Sequence, residues 1–172
     1  MPKIKRVKDV VGEWGVTPSQ PTIYMGIDPG KNGGIAVLNG NTVHPLKMPE
    51  TPADLLTWLT AFPQGTIAVI EQVGGYAGQG QPGSAMFNFG KGVGHLEMAL
   101  LACKIPFEQV TPQRWQKAMG ISNRKKTETK TQWKNRIKAK AQQLFPGVDV
   151  TLAVADALLI AEYCRRKHQG RL

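Results

Sequence analysis

Short apolar runs in the first half of the chain predict β-strands. Residues 22–27 (TIYMGI) have an alternating, β-prone pattern, and residues 35–38 form a second β-prone run. Asn39-Gly40 is a strong signal for a hairpin turn, which predicts a third, antiparallel strand over residues 42–48. Residues 66–70 are short and apolar, which is typical of a central strand covered on both faces.

Helix signals follow and alternate with further strand signals. Thr51-Pro52 combines an N-cap residue with proline at the first helical position, and leucines 55, 56 and 59 supply an apolar stripe. The same capping pattern recurs at Thr111-Pro112, after a β-prone run at 107–110. Further helices are predicted over 84–102 and over 153–167. Between them, the basic segment 122–140 is predicted to end in a helix that stops near Pro146-Gly147. This order predicts an α/β fold with a mixed five-stranded sheet and helices on both faces.

Chain length and composition indicate one domain. A chain of 172 residues with 41% hydrophobic residues can bury one core, which we expect to span residues 21–172. Residues 1–20 carry four lysines and arginines before a Pro/Ser/Thr stretch, and they are predicted to be a flexible basic extension. The Gly- and Gln-rich stretch at 74–83 is too polar to belong to the core and is predicted to be a loop.

The charge of the chain points to a polyanionic partner. A net charge of +10 and a sequence pI near 9.8 favour nucleic acid over small anions. No run approaches the ~20 apolar residues that are needed to cross a bilayer, so a membrane partner is not predicted. Cys103 and Cys164 lie far apart in apolar, helix-like segments, and buried free thiols in a reducing compartment are the better interpretation.

Three carboxylates stand where a folded chain does not tolerate them without a counter-charge. Asp28 and Glu71 each come directly after an apolar strand, and Asp156 lies among apolar residues of the last predicted helix. The alternative for Asp28 is that it only caps the turn at 29–34. If the first and fourth strands are parallel neighbours, the three side chains converge. Mg²⁺ or Mn²⁺ is then needed to relieve their repulsion, and two ions per site would suit phosphodiester hydrolysis.

The motifs that hold these acids resemble those of the RuvC-type Holliday-junction resolvases, in particular the phage-like and organellar branch. They are GIDPG at 26–30, IEQV at 70–73 and ADALLIAEY at 155–163, with TPQRWQKAMG at 111–120 between them. The resemblance runs in order from about residue 24 to residue 166. It implies an RNase H-like fold and a homodimer. It also implies Mg²⁺-dependent, paired nicking of four-way DNA junctions that leaves 5′-phosphate and 3′-hydroxyl ends.

One position departs from the family pattern. The family usually has a fourth ligand, Asp or His, three or four residues before the last carboxylate, where this chain has Ala153 and Leu152. Asp149 lies outside the usual spacing. Natural divergence and a deliberate inactivating substitution both remain open, and both put catalytic competence in doubt while leaving the fold and DNA binding in place.

The predicted DNA contacts are mostly basic or aromatic. Residues 104–140 carry eleven lysines and arginines against Glu108 and Glu128, which favours phosphate contacts over a merely solvated helix face. Aromatic residues near the 74–83 loop are candidates to stack on exposed bases, with helix packing as the alternative for Phe87 and Phe89. The predicted contacts are Lys31, Gln72, Tyr76, Gln79, Phe87, Lys117, Arg124, Lys125, Lys126, Lys130 and Lys134.

Three functions remain open from the sequence. The leading one is a junction-resolving, metal-dependent nuclease without a nucleotide cofactor. A non-catalytic junction-binding protein of the same fold and an actin-like or sugar-kinase-like phosphotransferase are the alternatives, and the latter needs two lobes to enclose ATP. A general RNase H acting on RNA–DNA hybrids is a variant of the first. The candidate dimer interface is the Gly90/Gly94 helix with Phe89, Leu96 and Leu100. Bacterial cytoplasm, a phage-infected cell or a DNA-containing organelle would suit this activity.

Overall fold

The computed structural model describes residues 22–74 and 82–172, which form one five-stranded sheet with helices on both faces. The strands are β1 (Tyr24–Asp28), β2 (Gly34–Asn39), β3 (Thr42–Lys47), β4 (Ile67–Glu71) and β5 (Phe107–Val110). The helices are α1 (Pro52–Thr60), α2 (Gly83–Ala102), α3 (Pro112–Ala118), α4 (Lys130–Leu144) and α5 (Leu152–His168). The predicted extension at 1–20 lies outside the described residues.

The sheet is mixed, in the order β3-β2-β1-β4-β5. The hairpin signal at Asn39-Gly40 is confirmed, because β2 pairs antiparallel with both β1 and β3. Strand β4 pairs parallel with β1 and with β5. Since Ile27 lies opposite Ile70, the next residues, Asp28 and Glu71, end neighbouring parallel strands at the same edge of the sheet. The structure therefore meets the condition under which these two carboxylates converge.

Two apolar layers cover the sheet. On one face, α5 lies across β1 and β2, and α3 and α4 pack against it around Trp115, Ile137 and Leu158. On the other face, α1 and α2 pack against the sheet through Leu59, Leu96 and Leu100. The expected α/β architecture with helices on both faces is thus confirmed.

Helix α5 approaches β1 more closely than side chains ordinarily permit. A Cβ atom placed on Gly26 would overlap the backbone of Ala157 and Ala161. Glycine therefore lets the main chain of α5 lie directly on the main chain of β1. Gly26 lies two residues before Asp28, and Ala157 directly follows Asp156. The contact therefore fixes the relative positions of the backbone segments that carry these two carboxylates.

Several local expectations are wrong. Leu96 and Leu100 belong to the core of this chain, because α2 turns that face toward the sheet, and they are not available for a dimer interface. Leu56 is 41% exposed and does not belong to the buried stripe of α1, which is formed by Leu55 and Leu59. Cys164 is a buried free thiol as expected, whereas Cys103 is only half-buried.

Three further findings concern the helix termini, two glycines of α2 and membrane spanning. Thr51 caps α1 through a hydrogen bond from the Asp54 backbone N–H, but Thr111 begins α3 without a side-chain capping bond. Among the described residues, no atom of another element lies within 4 Å of a Cβ atom placed on Gly90 or Gly94, so no described backbone packs closely against these glycines. Within residues 22–74 and 82–172, no helix has the length and apolar character needed to cross a membrane.

Candidate metal centre and nucleic-acid interface

Asp28 is placed at the sheet edge by a tight turn. It is the last residue of β1, and the turn closes with a 3.1 Å hydrogen bond from the Gly33 N–H to the Gly30 carbonyl. A side chain at Gly33 would overlap the Asp28 carbonyl. Glycine at this position thus allows the chain to return directly into β2, with the Asp28 carboxyl left at the carboxyl end of β1.

Glu71 is held by a buried tryptophan. It is the last residue of β4, and its Oε2 atom accepts a 2.7 Å hydrogen bond from the Trp115 indole N–H. Trp115 is fully buried in α3. Directly after Glu71, the Gln72 N–H donates to the Val110 carbonyl at 2.7 Å, which keeps β4 and β5 paired to their ends. From the sequence, Trp115 is expected to be a packing anchor and not a base-stacking residue, and the sequence gives no sign of this hydrogen bond.

Asp156 lies in the buried face of α5 and is only 5% exposed. Its Oδ2 atom pairs with Lys134 Nζ of α4 at 2.5 Å, while its Oδ1 atom has no hydrogen-bond partner among the residues that the structure describes. Burying a carboxylate oxygen without a partner is costly, so such atoms usually indicate a missing ligand or ion. Asp156 therefore presents one oxygen to a cation on the protein and leaves the other available.

Burial and mutual repulsion act on all three acids. Burial, and then the charges of Asp156 and Glu71, raise the pKa of Asp28 to about 7. Burial also raises the pKa of Glu71, to which the charge of Asp156 adds, while the hydrogen bond from Trp115 opposes the shift. For Lys134, desolvation lowers the pKa, but the attraction of Asp156, Asp28 and Glu71 outweighs it and raises the pKa overall. The three carboxylates and Lys134 thus form one electrostatic cluster.

The side chains of the cluster are of the kind that bind a divalent cation, although they are not close enough together to form a complete coordination site. Among the residues that the structure describes, no three His, Cys, Asp or Glu side chains are arranged to hold a metal ion. Lys134 and Trp115 engage one oxygen each of Asp156 and Glu71. The unpartnered Asp156 Oδ1 and the raised pKa of Asp28 and of Glu71 nevertheless show a shortage of positive charge. Carboxylate oxygens are the donors that Mg²⁺ and Mn²⁺ select, so Asp28, Glu71 and Asp156 fit such an ion.

A cavity of about 580 Å³ opens beside Asp28. Lys134, Leu152 and Ala153 line it together with the turn after β1 and with Phe89 of α2. The side chains of Leu152 and Ala153 carry no donor atom, so the first turn of α5 supplies no metal ligand there. Phe89 reaches the cavity by packing its ring over Gly30, a contact that helical periodicity alone does not reveal.

The predicted DNA contacts fall in several places. Lys31 is exposed in the turn after Asp28 and lines the cavity, Gln72 is exposed next to Glu71, and Phe87 is 70% exposed at the start of α2. Lys134 differs from the rest, because its ammonium is engaged by Asp156. Tyr76 and Gln79 lie outside the described residues. The remaining predicted contacts are exposed near α3, the loop after it and the start of α4: Lys117, Arg124, Lys125, Lys126 and Lys130.

Arg136 organises this basic loop, a role that the sequence pattern does not reveal. Its guanidinium donates to both carboxylate oxygens of Glu128 at 3.0 and 2.9 Å and to the backbone carbonyl and the hydroxyl of Ser122 at 3.1 and 2.9 Å. It also stacks over the Trp133 ring, 4.5 Å from the ring centroid. The one available signal was that Glu128 is one of only two acids among eleven basic residues of this region. Arg136 thus folds the loop that carries Arg124, Lys125 and Lys126.

Comparison with known proteins gives a likeness in structure only. No protein-family model matches the chain, and the search of curated proteins found no match. Thermus thermophilus RuvC in complex with a Holliday junction substrate superposes with a TM-score of 0.60 at 16% identity, over 87% of this chain and 97% of that chain. A second structure of Thermus thermophilus RuvC gives a TM-score of 0.56 at 16% identity, over 87% of this chain and 98% of that chain. The chain therefore has the RNase H-like fold that RuvC has.

Proposed function

We propose that this chain is a divalent-metal-dependent endonuclease that resolves four-way DNA junctions. The observation that carries the proposal is the placement of three carboxylates: Asp28 and Glu71 end neighbouring parallel strands, Asp156 lies in the helix that contacts β1, and Asp28 lines an open cavity. The third of them, Asp156, keeps an unpartnered buried oxygen. The strongly basic loop between α3 and α4 supplies charge for a polyanionic substrate.

The residues of the site suggest a division of tasks. Asp28, Glu71 and the free oxygen of Asp156 would hold Mg²⁺ or Mn²⁺. When bound, such an ion activates the attacking water and stabilises the charge that develops on the phosphate and leaving oxygens. Trp115 orients Glu71, and Lys134 keeps Asp156 in place. Lys31 stands at the cavity, where its ammonium would attract a phosphate of the DNA.

The fold adds support for DNA as the substrate. The structure of RuvC with a Holliday junction substrate shares this fold over 87% of the chain. In this chain, the exposed basic residues of the α3–α4 region are held in position by Arg136. We therefore place branched DNA across the cavity and this basic surface, with Phe87 as the candidate to stack on an exposed base.

Paired nicking of a junction needs two active sites, so we propose a homodimer. Helix α2 offers a surface for it, because Met98 and Leu101 are 63% and 46% exposed and lie on the same side of the helix as the open Gly94. Met98→Asp is expected to give monomers in sedimentation equilibrium, while Glu97→Gln, on the adjacent helix face, leaves the association state unchanged. A wild-type chain that is monomeric at all concentrations contradicts the dimer.

The test of the activity uses a labelled synthetic four-way junction and a linear duplex of matched length, each with Mg²⁺ or with EDTA. We expect symmetric nicks in the junction only, dependent on Mg²⁺ and lost in Asp28→Asn. Asp149→Asn is the matched control, since Asp149 is exposed and outside the cluster, and it should nick at the wild-type rate. Junction binding without any nicking would support the DNA partner but exclude the proposed nuclease activity.

That second outcome corresponds to a specific alternative. Leu152 and Ala153 offer no metal ligand, and Lys134 forms an ion pair with Asp156. These features also fit a protein that binds junctions without cleaving them. Metal-dependent nicking that disappears in Asp28→Asn decides against it.

A further inference from the structure

Lys134 has an unusual position for a lysine of a basic helix. Helix α4 begins at Lys130, behind a capping box formed by Thr129 and Gln132. Ile137 and Ala141, three and seven residues after Lys134, are the buried residues of this helix, so Lys134 lies on the face that packs against α5. Its side chain is 36% exposed. It therefore reaches inward along the apolar face, instead of outward to solvent as Lys130 does.

The inward ammonium contacts one oxygen of the candidate metal centre. Lys134 Nζ lies 2.5 Å from Asp156 Oδ2, and the Asp156 side chain is only 7% exposed. The carboxylate of this pair is sheltered from water, so it needs close contact with its partner charge to offset the hydration that it loses. The other oxygen, Asp156 Oδ1, has no partner within residues 22–74 and 82–172. The pair thus divides Asp156 into one oxygen held by the protein and one oxygen left for another cation.

The residues around the cavity favour a single further cation over two. Lys134 lines this cavity together with Asp28, while Leu152 and Ala153 contribute only apolar side chains to it. Two-metal sites hold their ions about 4 Å apart and need enough anionic ligands for both. Here three carboxylates are available, and one oxygen already faces an ammonium. In the chain without DNA, one divalent ion and one ammonium together balance three carboxylates, whereas two divalent ions and the ammonium leave an excess of positive charge.

We infer that the Lys134 ammonium is a resident cation of the cluster, so that the site takes one divalent ion where two would otherwise be expected. Lys134 acts as a positioning residue: it fixes Asp156 and supplies part of the positive charge. This inference rests on the proposed function, because it assumes that Asp28, Glu71 and Asp156 bind a divalent ion. It replaces the expectation of two ions per site.

The first test counts ions without using activity. The full-length chain is titrated with Mn²⁺, and free Mn²⁺ is measured by electron paramagnetic resonance. We expect one Mn²⁺ per wild-type chain and two per chain of Lys134→Asp, which turns the ammonium into a fourth carboxylate. Lys138→Asp makes the same charge change one turn further along α4 and should still bind one. Two ions per wild-type chain would overturn the inference and keep the nuclease, whereas no bound ion would overturn both.

The second test measures how junction nicking depends on the Mg²⁺ concentration. The rate should rise with the first power of Mg²⁺ at low concentration in the wild type and in Lys134→Arg, which keeps the positive charge. In Lys134→Met, it should rise with the second power and need at least tenfold more Mg²⁺ for half-maximal rate. Thermal unfolding of each variant establishes that the chain is folded. A Lys134→Met variant with the wild-type Mg²⁺ dependence shows that the ammonium is not acting as a cation of the site.

Discussion

Trp115 donates its indole N–H to Glu71 over 2.7 Å, joining a fully buried residue of α3 to a carboxylate at the end of β4. The donor favours the charged form of Glu71, whereas burial, the largest influence, raises the pKa of Glu71. The hydrogen bond therefore keeps Glu71 closer to the ionised state that a cation requires. A residue that is buried in the core thus takes part in preparing the site.

Replacing Trp115 by Phe should raise the pKa of Glu71 further, since the donor is lost and burial remains. We expect nicking to need a higher pH than in the wild type, and unfolding to become easier by at least the ~1.5–3 kcal/mol of a hydrogen bond to a charged group. The measurements are a pH–rate profile and urea unfolding. Trp58→Phe is the control, because Trp58 packs on Phe62 away from the cluster. Equal shifts of the pH profile in both variants would show that only packing was disturbed.

Asp28, with a pKa of about 7 in the metal-free chain, should make cation binding depend on pH. Protons and cations compete for the carboxylate, so the affinity for Mn²⁺ should fall by up to about tenfold for each pH unit below 7 and level off above it. Calorimetric titrations with Mn²⁺ from pH 5.5 to 8.5 measure this dependence. Affinity that stays constant over that range would contradict the raised pKa.

The same shift has a consequence for stability. The pKa of Asp28 is higher in the folded chain than its ordinary value of 3.8, so ionisation opposes folding. The contribution of Asp28 to stability is therefore greatest below pH 3.8 and is lost as the pH rises to about 7. Asp28→Asn should be more stable than the wild type at pH 8 in EDTA, with a smaller difference at pH 5. Chemical denaturation at both pH values measures this, and a wild type that is more stable at pH 8 would refute the assignment.

The basic loop should contribute to binding through phosphate contacts. Each lost phosphate contact makes the negative slope of log affinity against log salt less steep by roughly 0.9. The slope of the Lys125→Gln/Lys126→Gln double variant should therefore be less steep than that of the wild type by about 1.8. The double variant Lys47→Gln/Arg171→Gln removes the same charge from β3 and from the residues after α5. Fluorescence anisotropy with a four-way junction at several salt concentrations measures both. Identical slopes in the two variants would mean that net charge, and not this loop, governs binding.

Gly26 should be intolerant of any side chain. Gly26→Ala places a Cβ atom against the backbone of α5, where neither element can yield, and a loss of at least about 3 kcal/mol is expected. Gly92→Ala is the matched control, because it lies in α2 with no atom within 4 Å of the added Cβ. It should stabilise the helix by about 0.5–1 kcal/mol. Thermal and urea unfolding of both variants give the comparison.

Much of the fold could be predicted because it is encoded locally. Turn signals, proline caps and apolar periodicity identified every strand and helix that the structure describes, with small shifts at their ends. The convergence of Asp28 with Glu71 was also predictable, since parallel neighbours place strand-end residues together. The contact of Lys134 with Asp156 was not predictable in this way, because it depends on how α4 is rotated against α5.

The errors have the same origin. Periodicity shows that α2 has apolar residues on more than one face, but it does not show which face meets the sheet. The sequence therefore predicts Leu96 and Leu100 at a dimer interface, whereas Met98 and Leu101 are exposed in the structure. In the sequence, Arg136 is one more basic residue of a basic helix, and only the fold brings it to Glu128 and Ser122.

The main-chain contact between β1 and α5 also bears on how far such a sequence can diverge. Since Gly26 lets two backbones touch, the spacing of Asp28 and Asp156 depends little on which side chains fill the surrounding core. Substitutions elsewhere can accumulate in both apolar layers, provided that their volume is kept. RuvC shows that this fold accommodates a very different sequence, because it shares the fold with only 16% identity. Within this fold, a glycine two residues before Asp28 is accordingly harder to replace than most residues of the two apolar layers.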